Sequence, residues 1–293
     1  MRANFAQCTN IKRIDAPLPA ETSPVRGRST DFKPSGNCRD GSIGIVSFLL
    51  GKLDGKVALV TGASQGIGKG ISLALASEGC GLVLTARTQS TLEAAVNEVS
   101  GLGGQVVGQP ADVAEPEQVE ALFKLATDRF QRLDLLVNNA GVSDGGPLEQ
   151  MSVEIWDRVI ATNLRGPFLC TRAAMCMMKR QGGGRIINIG SIASQRVRPN
   201  SAPYAASKHG LWGLTQVTAL EGRGHGITCG CLHPGNTLVE RRRDNTSDPI
   251  GDEPQISTED IAQVVLLMAT LPPQTQMLES VVLPSEQLFV GRG

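Results

Sequence analysis

From residue 56 onward, short apolar segments alternate with segments of helical periodicity, and this alternation constrains the fold more than any other feature. The apolar segments are hydrophobic along their whole length, which is typical of strands in a parallel sheet that helices cover on both faces. There are seven such segments, at 56–61, 82–86, 106–109, 133–138, 185–189, 227–232 and 279–283. We therefore predict an α/β fold with a doubly wound, seven-stranded parallel sheet flanked by helices on both faces.

Residues 1–51 differ from the rest of the chain, because they carry four prolines and show neither helical nor strand periodicity. They are predicted to be a disordered N-terminal leader. Their acidic residues, and the late position of their only apolar stretch at 43–50, argue against a targeting segment. Residues 52–293 contain no repeat and no linker, so they are predicted to form one domain.

Composition excludes several classes of partner. Lys and Arg number 28 and Asp and Glu number 28, so the balanced charge favours neither nucleic acid nor an anionic membrane as a partner. The seven cysteines form no C-x-x-C pair and no zinc-ligand spacing, so we predict no metal site and a reducing, cytoplasmic location. No apolar run reaches the ~18 residues that would span a bilayer.

A glycine-rich turn follows the first predicted strand and precedes the first predicted helix. Its sequence is TGASQGIG at 61–68, with the spacing G-x-x-x-G-x-G. Backbone N–H groups in such a turn can approach a pyrophosphate at the positive end of the helix, which indicates a dinucleotide site in a Rossmann-type fold. The predicted cofactor contacts here are Gly62, Ser64, Gln65, Gly66, Ile67 and Gly68.

Residues after the next strands favour one dinucleotide over the other. The second strand ends in Ala86-Arg87-Thr88, with no acidic residue to hold the ribose hydroxyls of NAD(H). Arg87 could instead bind a 2′-phosphate, so NADP(H) is preferred and NAD(H) remains possible. Two further loop segments are predicted to border the same groove, and they comprise Asp112, Val113, Asn139, Ala140 and Gly141.

Tyr204, the only tyrosine, and Lys208 lie four residues apart on a predicted helix, so they share one helical face. A phenol has a reference pKa near ~10, and a neighbouring ammonium lowers that pKa by stabilising the phenolate. Such a pair can move a proton to or from a substrate oxygen. Ser191 follows the strand at 185–189, where its hydroxyl could donate to the same oxygen. Asn163 interrupts a helical stretch, which suggests a tertiary role such as holding a relay water.

Taken together, these motifs make residues 52 to about 270 resemble a short-chain dehydrogenase/reductase of the Rossmann-fold group, with 3-oxoacyl-[acyl carrier protein] reductases among its similar members. The resemblance rests on several motifs in family order: TGASQGIG at 61–68, NNAG at 138–141, Asn163, Ser191, YAASK at 204–208 and HPG at 233–235. It implies that residues 52–293 form an NADP-binding domain of this family.

The resemblance also implies roles for individual residues. Tyr204 would be the general acid/base, Lys208 would lower its pKa and bind the nicotinamide ribose, Ser191 would polarise the carbonyl, and Asn163 would anchor a relay water. The segment Pro234-Gly235-Asn236-Thr237 would flank the nicotinamide, with Pro234, Gly235 and Thr237 as cofactor contacts. The long helices at 153–181 and 203–221 would form the interface of a homodimer or homotetramer.

Substrate identity stays open, because the chain departs from the family pattern after Thr237 and at its C-terminus. The segment after Thr237 is charged and includes Arg241-Arg242-Arg243, and the tail LPSEQLFVGRG lacks the usual glycine-rich ending. The pocket is expected to use 143–148, 193–202 and residues from 238 onward. The expected activity is hydride transfer between NADP(H) and a small carbonyl or secondary alcohol. A non-catalytic NADP(H)-binding sensor or interaction protein is the alternative.

Overall fold

The structure is a computed structural model, which describes residues 51–239 and 253–289. All but the last residue of the predicted leader, and the Arg241–Arg243 run, lie outside the described residues. The seven strands are β1 (Val57–Thr61), β2 (Gly81–Thr85), β3 (Val106–Gly108), β4 (Leu135–Asn138), β5 (Gly184–Ile189), β6 (Ile227–Pro234) and β7 (Glu279–Val282).

All seven strands pair in parallel in the order β3-β2-β1-β4-β5-β6-β7. The chain first runs outward from β1 to β3 and then returns to add β4 on the other side of β1. This reversal opens a crevice at the carboxyl ends of β1 and β4, where doubly wound sheets bind ligands. The prediction of a doubly wound, seven-stranded parallel sheet is confirmed.

The helices are α1 (Gly66–Ser77), α2 (Gln89–Ser100), α3 (Pro116–Phe130), α4 (Val153–Ile160), α5 (Gly166–Gln181), α6 (Ala202–Gly222) and α7 (Thr258–Thr270). Two apolar cores lie on opposite faces of the sheet. One joins the sheet to α1, α2 and α7, and the other joins it to α3, α5 and α6.

Strand β1 shows why the apolar segments are continuous rather than alternating. Val57 and Leu59 enter one core, whereas Ala58 and Val60 enter the other, and all five residues of β1 are buried. Successive side chains of a strand point to opposite faces, so a strand covered on both sides needs apolar residues at every position.

The predicted helical stretch at 153–181 contains a break. Five residues, Ala161–Arg165, form a π-helix between α4 and α5. A π-helical turn spaces its hydrogen bonds one residue wider than an α-helix, and such turns often occur at functional sites. Asn163, one of the predicted site residues, lies at the centre of this turn.

Candidate active site

A long cleft runs along the carboxyl edge of the sheet and has a volume of about 1710 Å³. Pockets for one small ligand usually have roughly 300–1,000 Å³, so this cleft has room for a dinucleotide and a substrate together. It is lined by the residues that follow β1, β2, β4, β5 and β6, and by the first turn of α6. All but two of the predicted site residues line it, the exceptions being Gly68 and Asn163.

The glycine turn packs too closely for larger residues. Gly62 has a φ of +62°, and Gly66 has a φ of +56°. A Cβ atom on Gly68 would lie 2.2 Å from the Gly62 carbonyl oxygen, so Gly68 shapes the turn from behind rather than facing the cleft. Helix α1 begins at Gly66, and the side chain of its N-cap residue, Gln65, makes no capping hydrogen bond. This arrangement suits an anion at the helix N-terminus.

Asn139 braces the glycine turn from the neighbouring strand. Its Nδ2 donates to the carbonyl oxygens of Thr61 and Gly62, at 2.9 and 3.0 Å. In return, Thr61 Oγ1 accepts from the backbone N–H groups of Asn139 and Ala140, both at 3.0 Å. The side chain of Asn139 therefore ties the β1 and β4 loops together. Because Asn139 Nδ2 already donates to two carbonyl oxygens of the turn, Asn139 is expected to support the cofactor site by holding the turn in place.

The predicted adenosine end of the cleft is lined by Arg87, Asp112 and Val113. Arg87 is exposed and follows β2, as expected for a residue that meets a 2′-phosphate. Asp112 Oδ1 already accepts from the backbone N–H of Ala114 at 2.9 Å, which fixes the carboxylate at the rim. Val113 is buried and packs against Gly166. A Cβ atom added to Gly166 would lie 2.7 Å from Val113 Cγ2.

Tyr204 and Lys208 lie one turn apart on α6, and both line the cleft. Lys208 is 5% exposed, and its Nζ donates to the Ile189 carbonyl oxygen at 2.8 Å. The same Nζ lies 5.6 Å from the centre of the Tyr204 ring. The ammonium is therefore fixed between the end of β5 and the tyrosine. The structure therefore brings the Lys208 ammonium and the Tyr204 ring together on the wall of the cleft.

Ser191 stands where β5 ends, between the cleft and a short 3₁₀ turn, Ile192–Ser194. Its Oγ accepts from the Ala193 N–H at 3.1 Å, so its own proton can point elsewhere. Ser191, Tyr204 and Lys208 all line this cleft, and Lys208 donates to Ile189, which lies two residues before Ser191. The structure thus brings three of the four predicted catalytic side chains to one surface.

Asn163, the fourth, is 1% exposed and does not line the cleft. Its Oδ1 accepts from the Val142 N–H at 2.8 Å, and its Nδ2 donates to the Val142 carbonyl oxygen at 2.9 Å. Nδ2 also lies 3.2 Å from Ser207 Oγ on α6. The side chain joins the loop after β4 to the helix that carries Tyr204, a bracing contact that the sequence did not indicate.

The segment after β6 borders the cleft through Pro234, Gly235 and Thr237. Gly235 N donates to Val282 O at 2.7 Å, and Thr237 bridges to Ile256. Asn236 N donates at 3.0 Å to the side chain of Gln287, a buried residue close to the C-terminus. The segment expected to flank the nicotinamide is therefore held from the β7 side.

The open-ended expectation of pocket residues from 238 onward did not single out the part of the cleft wall that lies near the C-terminus. Residues 286–289 line the cleft, and the Arg196 guanidinium lies 5.8 Å from the centre of the Phe289 ring. No motif in that tail indicated this position. Of the expected pocket segments, residues 143–146, 193, 196–201, 239, 253, 254 and 286–289 line the cleft. Residues 240–252 lie outside the described part of the chain.

The described residues contain neither a candidate metal site nor a helix that could cross a membrane. Within 51–239 and 253–289, no three His, Cys, Asp or Glu side chains are grouped so that they could hold a metal ion. In the same residues, no helix has the length and apolar character needed to cross a membrane.

Comparison with known proteins agrees with this geometry. The family model described as short chain dehydrogenase matches residues 56–249. A 3-oxoacyl-[acyl-carrier-protein] reductase from Synechocystis sp. is 41% identical over 199 residues, which cover 68% of this chain and 81% of that protein. A D-beta-hydroxybutyrate dehydrogenase from Rhizobium meliloti is 40% identical over 186 residues, which cover 63% of this chain and 72% of that protein.

A solved structure extends the comparison to the fold. A metagenomic short-chain oxidoreductase in complex with NADP superposes with a TM-score of 0.71 and 37% sequence identity, covering 80% of this chain and 100% of that one. The segment that the family model matches, residues 56–249, includes the glycine turn, Ser191, Tyr204 and Lys208. The chain belongs to the short-chain dehydrogenase family, and it is an oxidoreductase that acts on a C=O or CH–OH group with NAD(P).

Proposed function

We propose that the protein is an NADP(H)-dependent oxidoreductase that moves a hydride between the nicotinamide and a carbonyl or secondary alcohol, with Tyr204 as general acid/base. The observation that carries this proposal is the fixed placement of Lys208 Nζ, 2.8 Å from Ile189 O and 5.6 Å from the Tyr204 ring centre, on the wall of the cleft. Bound NADP(H) would supply the hydride in reduction and accept it in oxidation.

The residues present fit this cofactor. The glycine turn has no room for side chains at Gly62 and Gly68, and the side chain of Gln65, the N-cap residue of α1, makes no capping hydrogen bond. Arg87 stands at the edge of the cleft after β2, without an acidic residue beside it. A guanidinium can form two parallel hydrogen bonds with a phosphate, which supports NADP(H) over NAD(H).

Tyr204 would donate its phenolic proton to the substrate oxygen during reduction and recover it in the reverse direction. The positive charge of Lys208 favours the phenolate by electrostatic attraction. One of its three N–H donors is used by Ile189 O, which leaves two for the phenol side and for a ribose hydroxyl. Ser191 would donate a hydrogen bond to the same substrate oxygen. Asn163 would act through the Val142 loop and Ser207, with the relay water as a further expected partner.

The relatives suggest a substrate class. Those reported above are named for 3-oxoacyl and beta-hydroxybutyrate compounds, and both names place the reacting oxygen on the third carbon of an acyl group. We infer that 3-oxoacyl thioesters and 3-hydroxy acids belong in the first substrate panel, beside simple ketones and sugars. We also infer a homo-oligomer and a cytoplasmic location. Four buried cysteines of the described residues, Cys80, Cys170, Cys229 and Cys231, are free thiols, as a reducing compartment would have them.

The test compares the parent with Tyr204→Phe in NADPH oxidation against this panel. General acid/base catalysis contributes roughly 10²–10⁴-fold, so we expect kcat to fall at least about 100-fold in the variant. NADPH binding, followed by its fluorescence, should stay within about twofold. Ser100→Ala, an exposed change at the end of α2 outside the cleft, serves as the control and should leave kcat unchanged. Equal, measurable rates in the parent and in Tyr204→Phe would overturn the role of Tyr204. A parent that binds NADPH but reduces no compound in the panel would favour the non-catalytic sensor.

A further inference from the structure

His233 is a fully buried histidine that the proposed chemistry does not use. Its exposed fraction is 0%, and it lies on β6 directly before Pro234-Gly235. Trp212 packs edge-on against the ring, with the ring centres 5.8 Å apart. A buried histidine needs polar partners, because an unpaired ring nitrogen in the core is costly.

One ring nitrogen is directed at the loop that carries Ser191. His233 Nδ1 lies 3.0 Å from Ser191 O and 3.4 Å from Ser191 N. It also lies 2.9 Å from Ser194 Oγ, which itself donates to Ser191 O at 2.7 Å. In either neutral tautomer, Nδ1 can therefore bond the backbone of Ser191, as a donor to its carbonyl oxygen or as an acceptor from its N–H.

The neighbouring residue leaves room for this approach. A Cβ atom on Gly190 would lie 2.6 Å from His233 Nδ1 and 2.7 Å from Cys231 Sγ. Any larger residue at 190 would push the ring away from Ser191. The absence of a side chain at Gly190 thus allows the imidazole to contact the backbone of the next residue.

The other ring nitrogen faces β7. His233 Nε2 lies 3.4 Å from Glu279 Oε1 and has no hydrogen bond within the described residues. Glu279 Oε1 also accepts from Gln195 Nε2 at 2.5 Å, so this carboxylate contacts both the ring and the loop after Ser191. Burial lowers the pKa of His233, which keeps the ring neutral near pH 7. The imidazole is thereby held between two elements and contributes hydrogen bonds rather than charge.

We propose that His233 is a positioning residue that holds Ser191 in the orientation needed to bond the substrate oxygen. The inference rests on the proposed function, in which Ser191 meets that oxygen. A leucine of similar volume would fill the space beside Trp212, but it could not bond the Ser191 backbone. Because His233 is followed directly by Pro234-Gly235, the same ring also links the Ser191 loop to the segment expected beside the nicotinamide.

Two amide variants separate this role from simple packing. In His233→Asn the amide lies near the position of Nδ1, and in His233→Gln it lies near that of Nε2. If the bond to Ser191 matters, Asn should keep kcat within about threefold of the parent, whereas Gln and His233→Leu should lower it about tenfold, the rate equivalent of one hydrogen bond. The Kd for NADPH should stay within about twofold in all three variants.

A double-mutant cycle with Ser191→Ala tests whether His233 acts through the serine. In the Ser191→Ala background, His233→Leu should cause no further loss of kcat, because the hydroxyl that it orients is gone. Additive losses, equal rates for the Asn and Gln variants, or a parallel rise in the NADPH Kd would overturn the inference. If His233→Leu does not fold, as judged by its thermal melt, the Asn and Gln pair still decides.

The same measurements separate failure of this inference from failure of the proposed function. An active parent that loses activity in Tyr204→Phe and Ser191→Ala, but not in His233→Gln, would overturn the positioning role alone. A parent that binds NADPH and reduces no compound in the panel would overturn both.

Discussion

Individual residues at the carboxyl edge of the sheet combine a chemical role with a bracing contact. Lys208 is buried and donates to Ile189 O, so its ammonium has one defined position beside Tyr204. Asn163 and Asn139 have mainly a bracing role. The amide of Asn163 is hydrogen-bonded to the backbone of Val142, and that of Asn139 to the backbone of Thr61 and Gly62. Replacement of such a bracing residue is expected to alter the positions of the loops around the cleft, and to affect the reaction only through those positions.

Arg87 provides a prediction at this scale. In Arg87→Glu, a carboxylate would repel the 2′-phosphate of NADP(H) and could accept from the ribose hydroxyls of NAD(H). A hydrogen bond to a charged group contributes about 1.5–3 kcal/mol, so the ratio of kcat/KM for NADPH over NADH should fall at least tenfold. Steady-state kinetics with both cofactors measures this ratio. The exposed Arg129→Glu, at the end of α3, is the matched control, and an unchanged ratio in Arg87→Glu would contradict NADP(H) selection by this residue.

At the scale of elements, the strands were predictable and the irregular segments were not. Burial on both faces forces an apolar run, so the predicted strands match the observed ones to within two residues. The predicted fourth strand began too early, because Asp134 is tied by its carboxylate to the Val57 N–H and to Arg132, before regular pairing begins at Leu135. The sequence did not predict the π-helix at Ala161–Arg165, although Asn163 at its centre is an unfavourable residue inside a helix.

The parts of the candidate site that consist of short sequence motifs could be predicted. The parts that form only through tertiary contacts could not. The glycines of the tight turn and the Tyr-x-x-x-Lys pair can be recognised in the sequence, because the local backbone geometry requires those residue types at that spacing. Residues 286–289 reach the cleft only because β7 adds in parallel beside β6, which carries the chain after it back over Gly235 and Asn236. The bonds of His233 likewise depend on β5, β6 and β7 being assembled.

The C-terminal segment provides a prediction at the scale of elements. Gln287 Oε1 accepts from Asn236 N at 3.0 Å, and both residues are buried. Gln287→Ala would leave that N–H unpaired, so we expect a loss of about 1–3 kcal/mol in the free energy of unfolding and a several-fold rise in the NADPH Kd. Urea unfolding and fluorescence titration measure the two quantities. Gln274→Ala, at an exposed position before β7, should change neither, and an unaltered Kd in Gln287→Ala would show that the segment does not support the cofactor site.

At the scale of the whole molecule, the cleft forms only when the sheet is complete, because it is lined by residues that follow strands far apart in the chain. The same arrangement leaves large apolar side chains exposed on the helices of one face. These include Trp156 on α4, Phe168 on α5, and Val217 and Leu220 on α6, with exposed fractions of 37%, 45%, 52% and 64%. Contiguous exposed apolar surface on a folded protein commonly marks an interface.

We therefore expect the protein to sediment as a dimer or tetramer at micromolar concentration. Leu220→Asp should shift it toward the monomer, because a charge buried in an apolar interface is costly. Sedimentation velocity measures the distribution, and Leu102→Asp, an exposed leucine after α2, is the matched control. A monomeric parent would contradict the expected assembly.

The outer wall of the cleft consists of loops and a tail, at 143–146, 196–201 and 286–289, whereas Ser191, Tyr204 and Lys208 sit at the ends of packed elements. Surface segments of this kind tolerate insertion and replacement, since few core contacts depend on them. Selectivity among carbonyl compounds can therefore diverge quickly, in evolution or by engineering, while the hydride-transfer apparatus stays intact. A library confined to those three segments is the economical route to an altered substrate range.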